Sequence, residues 1–213
     1  MKTLFRLLPL AVLAAALSAG AAEMLKYQAK PGSKIRLDGT STIHDWWVEG
    51  AIIGGTLELD PSFPTDPAKG DLKAGPLPAK VEVNIPVRSL KSSGKRPMDS
   101  VMQGTMAADK HPRIDYRLKE LVFKEARDGV LHFDSKGDLT VHGTTKELAM
   151  PVEIVRPDSQ SVHVKGAATL KMTDFGMKPP APALALGAIK TGDEVKVAFE
   201  WVTALAETTT ASK

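Results

Sequence analysis

Residues 131–141, with the sequence LHFDSKGDLTV, alternate between two kinds of side chain without interruption and decide the fold. Successive side chains of a β-strand point to opposite faces of a sheet. One face of this stretch is mainly apolar and carries Leu131, Phe133, Ser135, Gly137, Leu139 and Val141. The other face is polar and carries His132, Asp134, Lys136, Asp138 and Thr140. The pattern predicts a strand in a sheet with one buried face and one solvated face.

Similar patterns recur along the chain and predict eight strands in all. The strands lie near residues 35–39, 46–60, 81–87, 114–118, 131–141, 148–154, 162–172 and 195–201. The second strand changes register near Gly54 and Gly55, which indicates a bulge or a sharp bend. Residues 61–78 and 176–192 are rich in proline and are predicted to be loops.

One short helix is predicted between the third and fourth strands. Pro97 suits the first position of a helix. Met98, Val101, Met102 and Met106 then recur at helical spacing. The chain should therefore be all-β except for this single helix.

Eight amphipathic antiparallel strands favour a closed barrel, because closure removes exposed sheet edges. A two-sheet sandwich is the main alternative. The apolar faces could line the interior, or they could face lipid as in an outer-membrane barrel. Aromatic residues make up only 5% of the chain, and the polar faces carry full charges such as Lys165 and Lys171. Both features favour an apolar interior.

Residues 1–22 have the features of a cleaved signal peptide. Lys2 and Arg6 are followed by an apolar stretch at residues 7–17 and by small residues at 19–22. The apolar stretch is too short to span a bilayer comfortably, which argues against a retained membrane anchor. We therefore expect a periplasmic protein, with secretion as the alternative. The expected organisation is a signal peptide at 1–22, one barrel domain at 23–203 and a flexible tail at 204–213.

The composition excludes several classes of protein. The chain contains no cysteine, so disulfides and thiolate chemistry are excluded. Without Lys2 and Arg6, 26 basic residues face 25 acidic ones, and this balance gives no electrostatic case for nucleic-acid binding. No stretch after residue 22 has the length and apolar character of a transmembrane helix. The sequence leaves the oligomeric state open, a homodimer included.

The predicted inward faces favour a cavity over a solid core. Ser135, Gly137, Gly166 and Ala168 are small and lie among aliphatic residues of moderate size. An eight-stranded barrel can either fill its interior with side chains or hold one small ligand. The predicted ligand-binding wall comprises Val83, Ile85, Tyr116, Phe133, Leu139, Val152, Val164, Ala168, Val197 and Phe199. A long hydrocarbon chain is the natural occupant of such a space.

Four segments resemble the motifs of the YceI-like family of exported proteins. The segment GDLTVHGTTK at residues 137–146 resembles the family's most recognisable strand and turn. Residues 110–116, KHPRIDY, resemble a Pro-x-Ile-x-aromatic strand start. Residues 173–176, TDFG, and 192–195, GDEV, resemble the end of the penultimate strand and the start of the last one. The order and spacing of these segments cover nearly the whole chain after residue 22.

The resemblance implies a lipocalin-like barrel that binds a polyisoprenoid or a similar lipid in a central tunnel. It implies no established catalysis and no cofactor. The sequence departs from the family pattern at residues 96–102, RPMDSVM, and at residues 41–46, STIHDW. Both departures fall where the mouth of the tunnel is expected, so they bear on which lipid is bound.

Two groups of residues are candidates for controlling access to the tunnel. Met98, Val101 and Met102 could form a flexible apolar lid, or the helix could simply pack outside the sheet. Lys91, Lys95 and Arg96 could form a cationic rim that pairs with a lipid phosphate. The alternative for these charges is a solvated loop.

The sequence shows no pattern of catalytic or metal-binding residues. The five histidines are His44, His111, His132, His142 and His163, and their spacing matches no metal site. His44 and Asp45 could support acid–base chemistry, but such a pair is more often a local hydrogen bond in a turn. We therefore expect a non-enzymatic, exported protein that sequesters or carries a long-chain lipid. A ligand-free structural or interaction barrel of the periplasm is the alternative.

Overall fold

The computed structural model describes residues 23–61, 63, 73–92, 96–181 and 189–207. The predicted signal peptide, Lys95 and residues 208–213 lie outside this part. Eleven strands are present within it. They are β1 (Leu25–Ala29), β2 (Lys34–Ser41), β3 (Trp46–Gly50), β4 (Gly54–Leu59), β5 (Gly75–Pro76), β6 (Ala79–Pro86), β7 (Arg113–Arg127), β8 (Val130–Val141), β9 (Thr144–Val155), β10 (Ser161–Lys171) and β11 (Thr191–Leu205).

The strands form one antiparallel sheet that closes into a barrel. Eight strands make the ring in the order β1, β4, β6, β7, β8, β9, β10 and β11, and β11 pairs back with β1. β2 and β3 extend the wall beside the first half of β11, and β5 pairs with the end of β7. The prediction of an all-β, eight-stranded antiparallel barrel is confirmed, and the sandwich alternative is wrong because a single sheet closes on itself.

Tight turns set the register of the central strands. Asp128 and Gly129 join β7 to β8, and His142 and Gly143 join β8 to β9. All four residues have φ between 52° and 79°. Positive φ at both central residues is the feature of the hairpin turn whose twist matches that of the strands it connects. The resulting register carries every inward side chain of β8 to the barrel interior, as the alternation of residues 131–141 predicts.

The helix α1 (Arg96–Thr105) follows β6 and precedes β7. The prediction that it lies between the third and fourth strands is therefore wrong, because six strands precede it. Three breaks in the pattern explain the error. Residues 25–29 form a strand that shows too little alternation to be recognised, residues 46–60 divide into β3 and β4 at residues 51–53, and β5 is only two residues long.

The outer surface of the barrel carries ion pairs between neighbouring strands. Lys119 Nζ lies 2.6 Å from an Asp138 carboxylate oxygen, and Lys136 Nζ lies 3.0 Å from a Glu147 carboxylate oxygen. These side chains alternate with the inward residues of the same strands, so the charged face is the outer one. In the part of the chain described above, no helix has the length and apolar character needed to cross a membrane.

The two ends of the barrel differ in how they are filled. At the aromatic end, defined by Phe63, Phe123 and Phe133, the ring centroids of Phe63 and Phe133 lie 5.5 Å apart, and those of Phe123 and Phe133 lie 5.4 Å apart. At the other end, here called the helix end, α1 lies against the interior.

β11 continues through Ala204 and Leu205, which pair with β1, so the sheet extends two residues into the predicted tail.

Candidate functional site

A cavity of about 730 Å³ occupies the helix end of the barrel. This volume falls within the roughly 300–1,000 Å³ typical of small-molecule sites. Inward residues of the sheet form its wall, and one face of α1 lies against it. Lys171 is the only lysine, arginine, aspartate or glutamate among the described residues that line the cavity. The lining is otherwise aliphatic, aromatic or neutral and polar, so the cavity suits an uncharged, extended molecule.

Eight of the ten predicted wall residues line this cavity. They are Val83, Ile85, Tyr116, Leu139, Val152, Val164, Val197 and Phe199. Phe133 points inward as predicted but belongs to the aromatic end, where it is only 1% exposed. Ala168 is half-buried beside Val197 and does not reach the cavity.

Sequence patterns missed several residues of the wall. Ile43, His44 and Trp46 line the cavity from the turn after β2 and the start of β3, and Met177 and Ile189 line it from either side of the second predicted loop. Loops and strand ends show no alternation, so periodicity could not place them. One signal was available, because the STIHDW segment departs from the family pattern at this point.

The small inward glycines do not leave open space in the way the sequence suggested. A Cβ atom on Gly137 would lie 2.6 Å from the Tyr116 hydroxyl oxygen, and one on Gly166 would lie 2.6 Å from Phe199 Cζ. Each ring therefore occupies the volume beside a glycine and lies close against the wall. Because each ring lies in the space beside its glycine, the glycines preserve the cavity indirectly.

Helix α1 contributes methionine side chains to the cavity. All three predicted lid residues, Met98, Val101 and Met102, line it. Val101 remains 37% exposed, so it lies at the boundary between the cavity and the outside. The helix thus lies against the cavity, and its role as a lid remains a prediction.

Asp99 ties α1 to the segment that precedes it. The Ser92 backbone N–H and the Ser92 hydroxyl both donate to Asp99 Oδ1, each at 2.7 Å. The backbone hydrogen bond is the main cause that lowers the pKa of Asp99, and the Ser92 hydroxyl and Lys91 act in the same direction. A charged carboxylate therefore holds the helix at the mouth of the barrel.

The predicted cationic rim is only partly described. Lys91 Nζ lies 3.9 Å from Asp99 Oδ2, so this lysine already has an acidic neighbour. Lys95 and the Arg96 side chain lie outside the described residues. Their proposed contact with a phosphate remains a prediction.

Tyr116 is the most unusual polar residue of the cavity wall. Its hydroxyl oxygen is buried and makes no hydrogen bond of ordinary geometry to any of the described residues. Burial is the main cause that raises the pKa of Tyr116 above its ordinary value, so the hydroxyl keeps its proton, while a weaker interaction with the Ser135 hydroxyl acts in the opposite direction. On the neighbouring strand, the Ser135 hydroxyl donates to the Met150 carbonyl oxygen at 2.9 Å.

The histidines contact backbone oxygens, one another or carboxylates of the outer face. His44 Nδ1 lies 2.9 Å from the backbone oxygen of Asp45, which is the local turn interaction expected from the sequence. The ring centroids of His111 and His142 lie 5.4 Å apart. His132 and His163 lie on the outer face near Glu153 and Glu200. Among the described residues, no three histidine, cysteine, aspartate or glutamate side chains group as a metal site would require.

Solved structures support the fold. The chain resembles BcnA of Burkholderia cenocepacia with 17% identity and a TM-score of 0.59, covering 80% of this chain and 95% of that one. It resembles a polyisoprenoid binding domain of Saccharophagus degradans with 12% identity and a TM-score of 0.64, covering 85% and 99%. A Campylobacter jejuni YceI protein matches with 18% identity and a TM-score of 0.50, covering 73% and 82%.

A family comparison extends over most of the sequence. A search of curated proteins finds no relative. The model of the YceI-like domain, by contrast, matches residues 29–203. This range includes all four motifs quoted above and runs from the end of β1 into the last part of β11. The chain therefore belongs to the YceI-like family, as its motifs predicted.

Proposed function

We propose that the protein binds a long-chain apolar lipid, a polyisoprenoid or a similar amphiphile, and sequesters or carries it in the barrel cavity. The single observation that carries this proposal is the cavity of about 730 Å³ with a predominantly apolar lining. Burial of apolar surface contributes roughly 25 cal/mol per Å², from which the cost of ordering the chain is subtracted. A long hydrocarbon gains most from such a site because it can bury its surface along its whole length.

The comparisons support the same class of ligand. The structure from Saccharophagus degradans is described as a polyisoprenoid binding domain, and its fold resembles this one along 85% of the chain. The described residues of the cavity wall are mostly apolar, as burial of a hydrocarbon chain requires. We therefore infer a binding role without catalysis, in the periplasm, to which residues 1–22 would direct the protein.

Helix α1 serves as the lid in this proposal. Its methionines face the ligand space, and the thioether side chain adapts to irregular apolar shapes. The test is the NMR signals of the Met98 and Met102 methyl groups during lipid titration. Movement of both signals supports the lid, and signals that stay unchanged at saturation contradict it.

Lys95 and Arg96 form the head-group contact in this proposal, with Lys91 beside them. The double variant Lys95→Glu, Arg96→Glu should weaken binding of a phosphorylated isoprenoid more than binding of the free alcohol, because only the phosphate loses a charge partner. Equal weakening of both ligands would show that the rim does not recognise phosphate.

The central test asks whether the cavity carries a lipid. Native mass spectrometry after gentle purification should detect a co-purified apolar mass. Val164→Trp fills the cavity and should reduce this mass to a small fraction, because Val164 lines it. Lys165→Trp places the same ring at the next residue of β10, whose side chain lies on the outer face of the barrel, and should leave the lipid bound. Circular dichroism checks that both variants fold.

The alternative, a ligand-free structural or interaction barrel, predicts a different result. The wild-type protein would then have a clean apo mass, and lipid extracts added afterwards would not bind. In that case Val164→Trp would not change any mass associated with the protein.

A further inference from the structure

The cavity wall contains a hydroxyl group for which the described residues provide no hydrogen-bond partner. Ser41, Thr105 and Ser135 also line the cavity, and their hydroxyls donate to backbone carbonyl oxygens at 2.6, 2.9 and 2.9 Å. The Tyr116 hydroxyl has no such bond among the described residues. Buried polar groups are nearly always hydrogen-bonded, because leaving one unpaired costs free energy. The Tyr116 hydroxyl therefore has capacity for a hydrogen bond that the described part of the chain does not supply.

The position of the ring allows this hydroxyl to reach a ligand. Tyr116 lies on β7 between its partners Val83 and Leu139, and all three line the cavity. The ring rests against Gly137, which has no side chain to hold it there. A tilt of the ring away from Gly137 would bring the hydroxyl towards the cavity that Tyr116 already lines.

The surroundings of Tyr116 define the chemistry of the group it can bind. Lys171 ends β10, which is three strands around the ring from β7. Among the described cavity-lining residues it is the only lysine or arginine, so no guanidinium or ammonium group of the wall lies on β7 or on the neighbouring strands β6 and β8. A buried anion needs such a partner, whereas a neutral oxygen needs only a donor. The Tyr116 hydroxyl, which keeps its proton, is such a donor.

We propose that Tyr116 is a specificity-determining residue that donates its hydroxyl hydrogen to a neutral oxygen of the bound lipid. The oxygen belongs to a hydroxyl, ether or carbonyl group carried by an otherwise apolar chain. This inference rests on the proposed lipid-binding function and adds a preference among lipids of equal length. It gives the cavity wall a contact for one neutral oxygen of the lipid, in addition to the contacts made by the hydrocarbon.

The experiment compares hexadecanol with hexadecane, which share a chain length and differ in one hydroxyl group. Both compete with the fluorescent probe N-phenylnaphthylamine for the ligand-stripped full chain. Tyr116→Phe should weaken hexadecanol binding roughly 3- to 10-fold, as expected for the loss of one hydrogen bond. Hexadecane binding should stay within about twofold, since the ring is retained.

Tyr27→Phe is the matched control. Tyr27 is buried outside the cavity lining, and its hydroxyl accepts a hydrogen bond from Arg156 at 3.1 Å. Removing this hydroxyl should leave the ratio of the hexadecanol and hexadecane affinities unchanged. Tyr116→Leu is a second variant that removes the hydroxyl, and it should lower the same ratio. Thermal unfolding verifies that each variant is folded.

Two results would overturn the proposal. If Tyr116→Phe changes both affinities equally, or if Tyr27→Phe changes the ratio as much, the hydroxyl of Tyr116 does not recognise the ligand. If the wild-type protein binds neither probe and carries no co-purified lipid, the proposed function itself fails and this inference fails with it. The wild-type measurement separates these two cases.

Discussion

The aromatic end and the helix end are built from the same strands, yet one is filled and the other is hollow. β8 contributes Phe133 to the first and Leu139 to the second, and both side chains point inward. At the aromatic end, Phe123 and Phe133 are direct cross-strand partners, and Phe63 stacks on Phe133. At the helix end, the Phe199 ring lies against its cross-strand partner Gly166, and the Tyr116 ring lies against Gly137, which is diagonally opposite on β8. The difference teaches that alternation decides which face is inward, whereas the partners across the strands decide whether that face encloses space.

The first prediction compares phenylalanine deletions at the two ends. Phe133→Ala should lower the free energy of unfolding by about 3–5 kcal/mol, because it removes a fully buried ring from a packed cluster. Phe199→Ala should cost roughly half as much, because that ring already borders empty volume. Urea unfolding at neutral pH measures both values. Equal losses would show that the two ends are packed equally well.

The second prediction concerns a substitution that should narrow the cavity at the helix end. Gly166→Ala should push the Phe199 ring into the cavity, since the added Cβ would lie 2.6 Å from Phe199 Cζ. We expect a loss of about 1–3 kcal/mol in the free energy of unfolding, as for overpacked cores, together with weaker lipid binding.

The double variant Gly166→Ala, Phe199→Leu is the control for this mechanism. The shorter side chain removes the collision, so lipid binding should recover at least in part. Failure to recover would mean that the added methyl group acts on the backbone and not through the ring.

The third prediction concerns a substitution that removes the hydrogen bonds between α1 and the segment before it. Asp99→Ala removes the acceptor of two hydrogen bonds from Ser92 and should lower the free energy of unfolding by about 1–2 kcal/mol. The native contacts lower the pKa of Asp99, so the folded state binds fewer protons than the unfolded state. The stability that the Asp99 charge contributes should be fully present above the ordinary aspartate pKa of about 3.9. It should disappear as the pH falls through the lowered native pKa.

The pH dependence separates charge from shape. Asp99→Asn keeps an acceptor oxygen but does not titrate, so the stability difference between it and the wild type should shrink on acidification. A difference that stays constant between neutral pH and the acid limit would exclude the Asp99 charge as the cause. Unfolding curves at a series of pH values give this difference directly.

The fourth prediction concerns a substitution that should stiffen α1, and its expected effect on the free energy of unfolding is the smallest of the four. Gly104 is exposed near the end of α1, and a Cβ atom there would meet nothing within 4 Å. Gly104→Ala should therefore raise the free energy of unfolding by about 0.5–1 kcal/mol, because alanine loses less conformational freedom in a helix. Differential scanning calorimetry should show a higher melting temperature, and a lower one would mean that α1 needs flexibility at this position.

The fold was largely predictable where the chain alternates and unpredictable where it does not. For residues 131–141, the local pattern alone predicted the strand, its inward face and the family motif. β1 and β5 are short and depend on partners that are distant in sequence, such as Leu205 for Tyr27 and Phe123 for Gly75. Local composition carries no record of those partners, and for this reason the number of strands before α1 was underestimated.

The sequence by itself determined the all-β class, the inward faces, the helical methionine cluster and the family. These properties depend on residue spacing and on motifs, which are present in the chain before it folds. Only the tertiary structure decided that Phe133 packs at one end and that Tyr116 and Phe199 lie over Gly137 and Gly166. It also decided that the Tyr116 hydroxyl makes no ordinary hydrogen bond to the described residues. Such features arise from side chains that meet across strands, and the register that brings them together is a property of the closed barrel.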